Sequence, residues 1–135
     1  MATYNKFLPA VDALDKAINV ATDTFKAVLA TSLANTDTTI TAEVANGNGY
    51  TTGGNTMTTT STTTTAGVQK VILGTPATWT ASGAGFSFRY VILYDSTTST
   101  PIGYWDYGST VTMNGTNGDT FQFVPDATNG VFQLS

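Results

Sequence analysis

Hydrophobic and polar residues follow two different periods along the chain, one near its start and another over the rest. Near the start, apolar residues recur at the spacing of one face of an α-helix; they are Phe7, Val11, Leu14 and Ile18. Pro9 suits the first turn of a helix, where its missing N–H has no partner to lose. We therefore predict an amphipathic helix over about residues 9–20, within an N-terminal arm and helix that span 1–22.

Alternation of apolar and polar residues replaces the helical period after Asp23. The segment 24–31 places Phe25, Ala27 and Leu29 on one face, which indicates a strand. Beyond residue 55, short runs rich in β-branched and aromatic residues are separated by Gly, Pro and Asn. The strands predicted there are 56–63, 68–73, 77–81, 86–94, 102–107, 109–113, 119–124 and 130–134.

The segment 86–94 has the clearest alternation. Its pattern predicts one face formed by Phe86, Phe88, Tyr90, Ile92 and Tyr94, and the opposite face by Ser87, Arg89, Val91 and Leu93. Because both faces are apolar near the end of the strand, we expect a central strand that is covered on both sides. The Asn129-Gly130 turn predicts that 119–124 and 130–134 form a hairpin.

The series of short strands and the single helix define the expected fold class. At 135 residues, the chain is long enough for one domain with one core. We predict a mainly β protein, an antiparallel β-sandwich or jelly-roll-like domain over residues 1–135 with one N-terminal amphipathic helix. The Gly-, Asn- and Thr-rich connection 31–55 is expected to contact partners, because long loops often do so.

The run "GNGYTTGGNTMTTTSTTTTAG" at 47–67 admits three interpretations: a glycosylated stalk, a linker or a strand. Thr is β-branched and favours extended backbone, and the run contains no Pro, which mucin-like stalks interleave with Ser and Thr. Between residues 51 and 65, Met57 is the only large apolar residue. We predict a Gly-rich turn that leads into a Thr strand at a sheet edge or in a subunit contact.

Composition excludes several classes of function. Only 10% of the residues are charged, the net charge is −4, and the five basic residues form no cluster, so nucleic-acid binding is not expected. The chain has no Cys and no His, which removes thiolate chemistry and the commonest general base and metal ligand. No apolar run reaches the length of a membrane span, and the charged first residues do not fit a signal peptide, so no membrane association is expected.

Candidate catalytic residues are limited to a few carboxylates. Asp95, Asp119 and Asp126 lie beside turn-forming residues at strand ends, where a carboxylate usually caps a turn. Asp106, in "YWDYGS", is the best candidate for an acid. We favour a structural role for these carboxylates, and we predict that the chain is not an enzyme and has no catalytic residue, cofactor or metal.

Three aromatic residues beside Asp106 allow a sugar-binding alternative. Tyr104, Trp105 and Tyr107 could combine flat apolar faces with the carboxylate as an acceptor. The simpler interpretation, which we favour, places Trp105 toward the core with Tyr104 and Asp106 facing away.

Four ordered blocks of sequence carry a resemblance to a known group of proteins: "GNGYTTGG", "TWTASG", "FRYVILY" and "GYWDYGS". With the start "MATYNKF" and the end "GVFQL", the resemblance covers nearly the entire chain. The chain resembles small proteins that tailed bacteriophages and prophages encode among their virion structural genes, similar to proteins that decorate or cement capsids. The group brings no catalytic residues, and the Thr run is more uniform here than in the group.

The resemblance implies a capsid decoration or cement protein, which binds the outer capsid surface and stabilises contacts between major capsid subunits. The expected partners are the major capsid protein and further copies of the chain, as a dimer or trimer on capsid symmetry axes. Such a protein is made in the bacterial cytoplasm and resides on the capsid surface. The candidate partner contacts are Tyr4, Phe7, Asn46, Asn48, Tyr50, Asn55, Met57 and Thr59.

Two alternatives to decoration stay open. One is a tail or neck component, such as a tube-associated or head-completion protein. The other is the carbohydrate- or receptor-binding module that the aromatic residues suggest.

Overall fold

The computed structural model of the chain describes residues 2–74 and 76–134. The elements in chain order are β1 (Thr3–Lys6), α1 (Leu8–Lys16), β2 (Phe25–Ala30), β3 (Asn55–Met57), β4 (Thr59–Thr65), β5 (Val68–Leu73), β6 (Ala77–Thr80), β7 (Phe86–Asp95), β8 (Thr100–Met113), β9 (Thr120–Phe123) and β10 (Phe132–Leu134).

The strands form one large sheet and two small ones. The large sheet has the order β1-β8-β7-β2-β3, and the small sheets have the orders β10-β5-β4 and β6-β9. All strand pairings in the described part of the chain are antiparallel. The predicted fold class, a mainly β antiparallel sandwich with one short N-terminal helix, is confirmed.

The main core lies between the large sheet and the small sheets. Its buried side chains come from both layers, among them Leu29 and Val91 of the large sheet and Val71, Trp79 and Phe123 of the small sheets. A second, smaller core lies on the opposite face of the large sheet, where Phe7 and Ala10 pack against strand residues such as Val28 and Ile92. The central strands are therefore covered on both faces.

The helix is shorter than predicted, and one residue of the predicted apolar stripe is exposed. It ends at Lys16, and Ala17 and Ile18 both donate their N–H to the carbonyl of Ala13 as the chain leaves helical geometry. Because Phe7 and Ala10 face the sheet, Val11 points outward and stays 54% exposed. The predicted stripe was wrong for Val11, whereas Ile18 reaches the main core from beyond the helix.

An irregularity in the pairing of β7 with β8 overturns the predicted faces of residues 86–94. Phe88 pairs with Val111, but Tyr90 pairs with Asp106, so β8 has extra residues opposite Arg89. This shift reverses the side-chain alternation. The main core receives Phe86, Phe88, Val91 and Leu93, and the helix-side core receives Tyr90, Ile92 and Tyr94.

Other boundaries also differ from the prediction. The predicted hairpin of 119–124 with 130–134 was wrong: β9 pairs with β6, and β10 pairs with β5. After the turn, the N–H of Val131 donates to the carbonyl of Val71 in β5 at 2.8 Å. The chain therefore leaves the β6-β9 sheet and joins the β10-β5-β4 sheet. The predicted strand 56–63 is divided between two layers as β3 and β4, and 102–107 and 109–113 form the single strand β8.

Candidate functional site

The loop "GNGYTTGGN" is built around one buried side chain, Tyr50, which is 2% exposed. Its hydroxyl donates to Glu43 Oε1 at 2.7 Å and accepts the N–H of Leu29 at 3.2 Å. The same carboxylate oxygen accepts the N–H of Gly53 at 2.6 Å. Burial, followed by the hydrogen bond to Glu43, raises the pKa of Tyr50 far above its ordinary value. These contacts tie the loop to β2.

Two glycines of this loop lie directly against backbone. A Cβ on Gly49 would lie 2.0 Å from the carbonyl oxygen of Thr80, and one on Gly54 would lie 2.0 Å from that of Ala27. Both residues also have positive φ angles, of 97° and 65°. No larger residue fits these positions. The glycine pattern of the loop is therefore explained by internal packing.

Three of the predicted partner contacts are core residues: Phe7, Tyr50 and Met57 are each no more than 2% exposed. Phe7 and Tyr50 are buried because the arm and the loop fold back onto the large sheet, whereas Met57 lies in β3 of that sheet and faces the main core. We correct the prediction for these side chains, since a partner cannot reach them while the domain is folded.

The other predicted contacts remain accessible but are not gathered into one site. Asn46 and Asn48 are exposed, and Tyr4, Asn55 and Thr59 are partly exposed. Tyr4 belongs to β1 and Asn55 to β3, which are opposite edges of the large sheet. Two of the amides also hold the fold, since Asn46 Oδ1 accepts the N–H of Thr52 and Asn55 Nδ2 donates to the carbonyl of Thr78.

The Thr run forms an ordered edge strand, as predicted. β4 is the end strand of its sheet, and among residues 2–74 and 76–134 it pairs only with β5. A two-residue turn with positive φ at Ala66 and Gly67 joins the two strands, which is typical of a tight hairpin. The opposite side of β4 is a backbone edge whose sequence, "TTSTTTT", has no charge and no Pro.

A groove of about 530 Å³ lies at the face of β8 next to β1. Its walls include Tyr4, Trp105, Tyr107 and Phe123. The ring of Tyr4 occupies the space of a side chain at Gly103, with its Cε2 2.2 Å from an ideal Cβ there. Ring centroids lie 4.9 Å apart for Tyr4 and Trp105, and 4.6 Å apart for Trp105 and Phe123. Burial raises the pKa of Tyr4 to about 12.

Polar groups at the rim of the groove are Gln122 and Asp126. The Asp126 carboxylate accepts the backbone N–H groups of Asn129 and Thr128, each at 2.8 Å, and the side-chain amide of Asn129. These bonds lower the pKa of Asp126. The sequence pointed to Trp105 and Tyr107 but missed Tyr4 and Asp126 as their neighbours. Gly103 inside a strand was the available signal, because it often marks a close approach.

Tyr104 lies on the other face of β8, away from the groove. Its ring contacts those of Phe7 at 5.1 Å and Tyr90 at 6.1 Å, so it belongs to the helix-side core. Trp105 packs against the main core, as predicted. The predicted set of three aromatics is thus divided between two faces, and only Trp105 and Tyr107 line the groove.

The carboxylates with candidate chemistry have structural partners. Asp106 forms a two-pronged ion pair with Arg89, at 2.8 and 2.9 Å, and accepts the N–H of Gly108 at 2.7 Å. The hydrogen bonds from the Arg89 guanidinium, followed by the bond from Gly108, lower the pKa of Asp106. The Arg89–Asp106 ion pair also joins β7 to β8 at the point where their pairing is irregular. The predicted turn roles are confirmed: Asp95 accepts the N–H of Thr97, and Asp119 that of Asn114.

Within residues 2–74 and 76–134, no group of three or more acidic residues could hold a metal ion. No helix among the described residues is long and apolar enough to span a membrane. Comparisons with family models, with curated proteins and with solved structures give no match for this chain.

Proposed function

We propose that this chain is a structural protein of a tailed-bacteriophage virion. In this role it decorates the capsid, binds the outer surface of the shell and stabilises contacts between major capsid subunits. The ordered blocks that resemble small phage proteins support the virion as its location, and the compact β-sandwich is a suitable unit for an array.

The observation that carries the proposal is the unprotected edge of β4. Monomeric β proteins usually protect such an edge with charge, Pro or a cover, because free N–H and C=O groups pair with other chains. β4 has seven residues, all Thr or Ser, and β5 is the only described element with which it makes extensive contact. In a protein that functions by lateral association, the N–H and C=O groups of this edge can form hydrogen bonds with another chain.

The accessible side chains of the 31–55 connection supply a second region for contact. Asn46 and Asn48 project amides from a loop that Tyr50 and Glu43 hold in place. A preorganised loop loses little conformational freedom on binding. Because many copies bind one shell, weak contacts of this kind sum to a large stabilisation.

Copy number in purified virions tests the proposal. Quantitative mass spectrometry of intact particles measures the ratio of this chain to the major capsid protein. A decoration protein is expected at a ratio near that of the capsid lattice positions, on the order of hundreds of copies. A few to a dozen copies favours the tail or neck alternative, and absence from the particles overturns both structural proposals.

A second candidate function is glycan binding in the aromatic groove. The specific observation is that Trp105 and Tyr107 line an open groove with Tyr4, while Gln122 and the ionised Asp126 provide hydrogen-bonding groups at its rim. Aromatic rings with a few polar groups are the usual chemistry of small-ligand sites.

Binding to a glycan array tests this candidate. The native chain should bind a defined set of sugars, and Tyr107→Ala and Gln122→Ala should both lose that binding. Ser109→Ala, an exposed position of β8 outside the groove, is the matched control and should bind as the native chain does. No binding by the native chain, or equal binding by all variants, contradicts the candidate.

A further inference from the structure

We propose that two copies of the chain associate through their β4 strands, edge to edge and antiparallel, so that two three-stranded sheets become one six-stranded sheet. This deepens the proposed function, and rests on it, by naming a second copy as the partner at the β4 edge.

The pairing of β4 with β5 determines which backbone groups face outward. Thr65 and Val68 flank the two-residue turn and exchange hydrogen bonds, as residues in this position of a tight hairpin do. In an antiparallel ladder this type of pair recurs at every second residue, so Thr63, opposite Lys70, also bonds inward. The N–H and C=O groups of Thr62 and Thr64 therefore point toward the free edge.

A two-fold axis at Thr63 makes this edge complementary to itself. Each outward residue then meets an outward residue of the other copy: Thr62 pairs with Thr64 of the partner copy, and the reverse pair follows by symmetry. Four backbone hydrogen bonds result, and Thr63 faces its own symmetry mate in a pair without hydrogen bonds. The irregularity between Thr59 and Ser61 confines the regular pairing to the second half of the strand.

The sequence of β4 suits a second copy better than an unrelated strand. Strand addition by another protein obtains its specificity from pockets for alternate side chains, and a run of Thr and Ser repeats one side chain along the edge. A uniform run meets an identical run without mismatch.

Charge does not oppose the pairing. β4 carries none, and the nearest cation along the ladder is Lys70 on β5. The two Lys70 residues of a dimer lie three strand spacings apart, about 14 Å, which exceeds the screening length of about 8 Å at physiological salt.

Disulfide trapping of the purified full-length chain tests the pairing. The chain contains no Cys, so any disulfide in a single-Cys variant joins two copies. Thr63→Cys should give a covalent dimer under mild oxidation at low protein concentration. Thr116→Cys, in an exposed turn, is the matched control and should form no covalent dimer. Equal cross-linking of the two variants overturns the proposal.

Sedimentation of the unmodified chain and of proline variants provides an independent readout. The native chain should sediment as twice its mass of 14.1 kDa. Thr62→Pro removes no hydrogen bond to β5, so the variant should still fold. Because it removes an outward N–H from each copy, its dimerisation constant should be about tenfold weaker than that of the native chain. A native chain that is monomeric at all concentrations, or a Thr62→Pro chain that dimerises as tightly as the native one, overturns the proposal.

Both assays use the isolated protein, so their outcome is independent of the copy number in virions. A dimer of a chain that is absent from virions refutes the decoration role alone. A monomer that is abundant in virions refutes the β4 pairing alone.

Discussion

The Gly-rich loop 47–55 and the Thr-rich strand β4 are separated in the chain only by the short strand β3 and have similar small, polar compositions, yet they are held in different ways. The loop is fixed by contacts within the domain: Tyr50 is buried, Glu43 accepts two hydrogen bonds, and Gly49 and Gly54 lie against backbone. Among the strands that the structure describes, β4 is paired on one side only, with β5. Composition alone therefore does not distinguish a segment that serves its own fold from one that is available to a partner.

The largest expected change in the free energy of unfolding comes from a Gly→Ala substitution in the loop, and a second glycine of the loop provides the comparison. Gly54→Ala places a methyl group 2.0 Å from the Ala27 carbonyl oxygen, so we expect the free energy of unfolding to fall by about 3 kcal/mol or more. Gly47 also has a positive φ, of 119°, but open space around it, so Gly47→Ala carries only backbone strain and should cost less, about 2 kcal/mol. Urea unfolding of both variants measures the difference, and similar losses contradict the packing explanation.

The next effect concerns the hydroxyl of Tyr50. Tyr50→Phe leaves the buried N–H of Leu29 without an acceptor and removes a bond to Glu43, so it should cost about 2 kcal/mol. Glu43→Gln keeps a carbonyl acceptor and should cost less. Thermal and urea unfolding measure both. A Tyr50→Phe chain as stable as the native one shows that the hydroxyl does not hold the loop.

Alkaline pH should weaken the loop through the same residue. In the unfolded chain, Tyr50 ionises near pH 10, whereas the folded state keeps it neutral because its pKa is raised. The stability this contributes is present below pH 10 and is lost as the pH rises above that value. Between pH 10 and 11, the native chain should lose up to about 1.4 kcal/mol per pH unit more than Tyr50→Phe does. Parallel slopes for the two proteins contradict the raised pKa.

The smallest effects distinguish the two sides of β4. Thr63→Pro removes an N–H that bonds to β5, so we expect a loss of about 1 kcal/mol or more. Thr62→Pro removes an outward N–H and should change the stability of the monomer by less than that. Unfolding at dilute, monomeric concentrations measures both. A larger loss for Thr62→Pro reverses the assignment of the two sides.

Much of the fold follows from the sequence because local patterns specify it. Alternation located strands such as β2, the β-branched composition of the Thr run predicted a strand that overlaps β4, and Pro9 marked the start of the helix. Features that depend on distant residues were not predictable in this way. The pairing shift at Arg89 requires Asp106 and Gly108 on another strand, and the turn at Asn129 gave no sign that β10 pairs with β5.

In the candidate sites, too, local features could be predicted from the sequence and features that depend on distant residues could not. The edge position of β4 was predicted from its lack of an apolar face, which is a local property. The burial of Tyr50 and Met57 was not predicted, because each lies in a segment whose composition indicates a loop or an edge strand. A large apolar or aromatic residue alone among Gly, Asn and Thr was the signal for an anchor in the core. The meeting of Tyr4 with Gly103 needed the pairing of β1 with β8.

Amide hydrogen exchange at two protein concentrations tests the central claim most directly, since it reports on the loop and the strand together. The N–H of Gly53, which bonds to Glu43, should be protected at both concentrations. Protection of the Thr62 and Thr64 amides should be low in dilute protein and rise as the concentration increases. Equal protection of these two amides at both concentrations, in a chain whose Gly53 amide is protected throughout, contradicts the assignment of β4 as the surface for association.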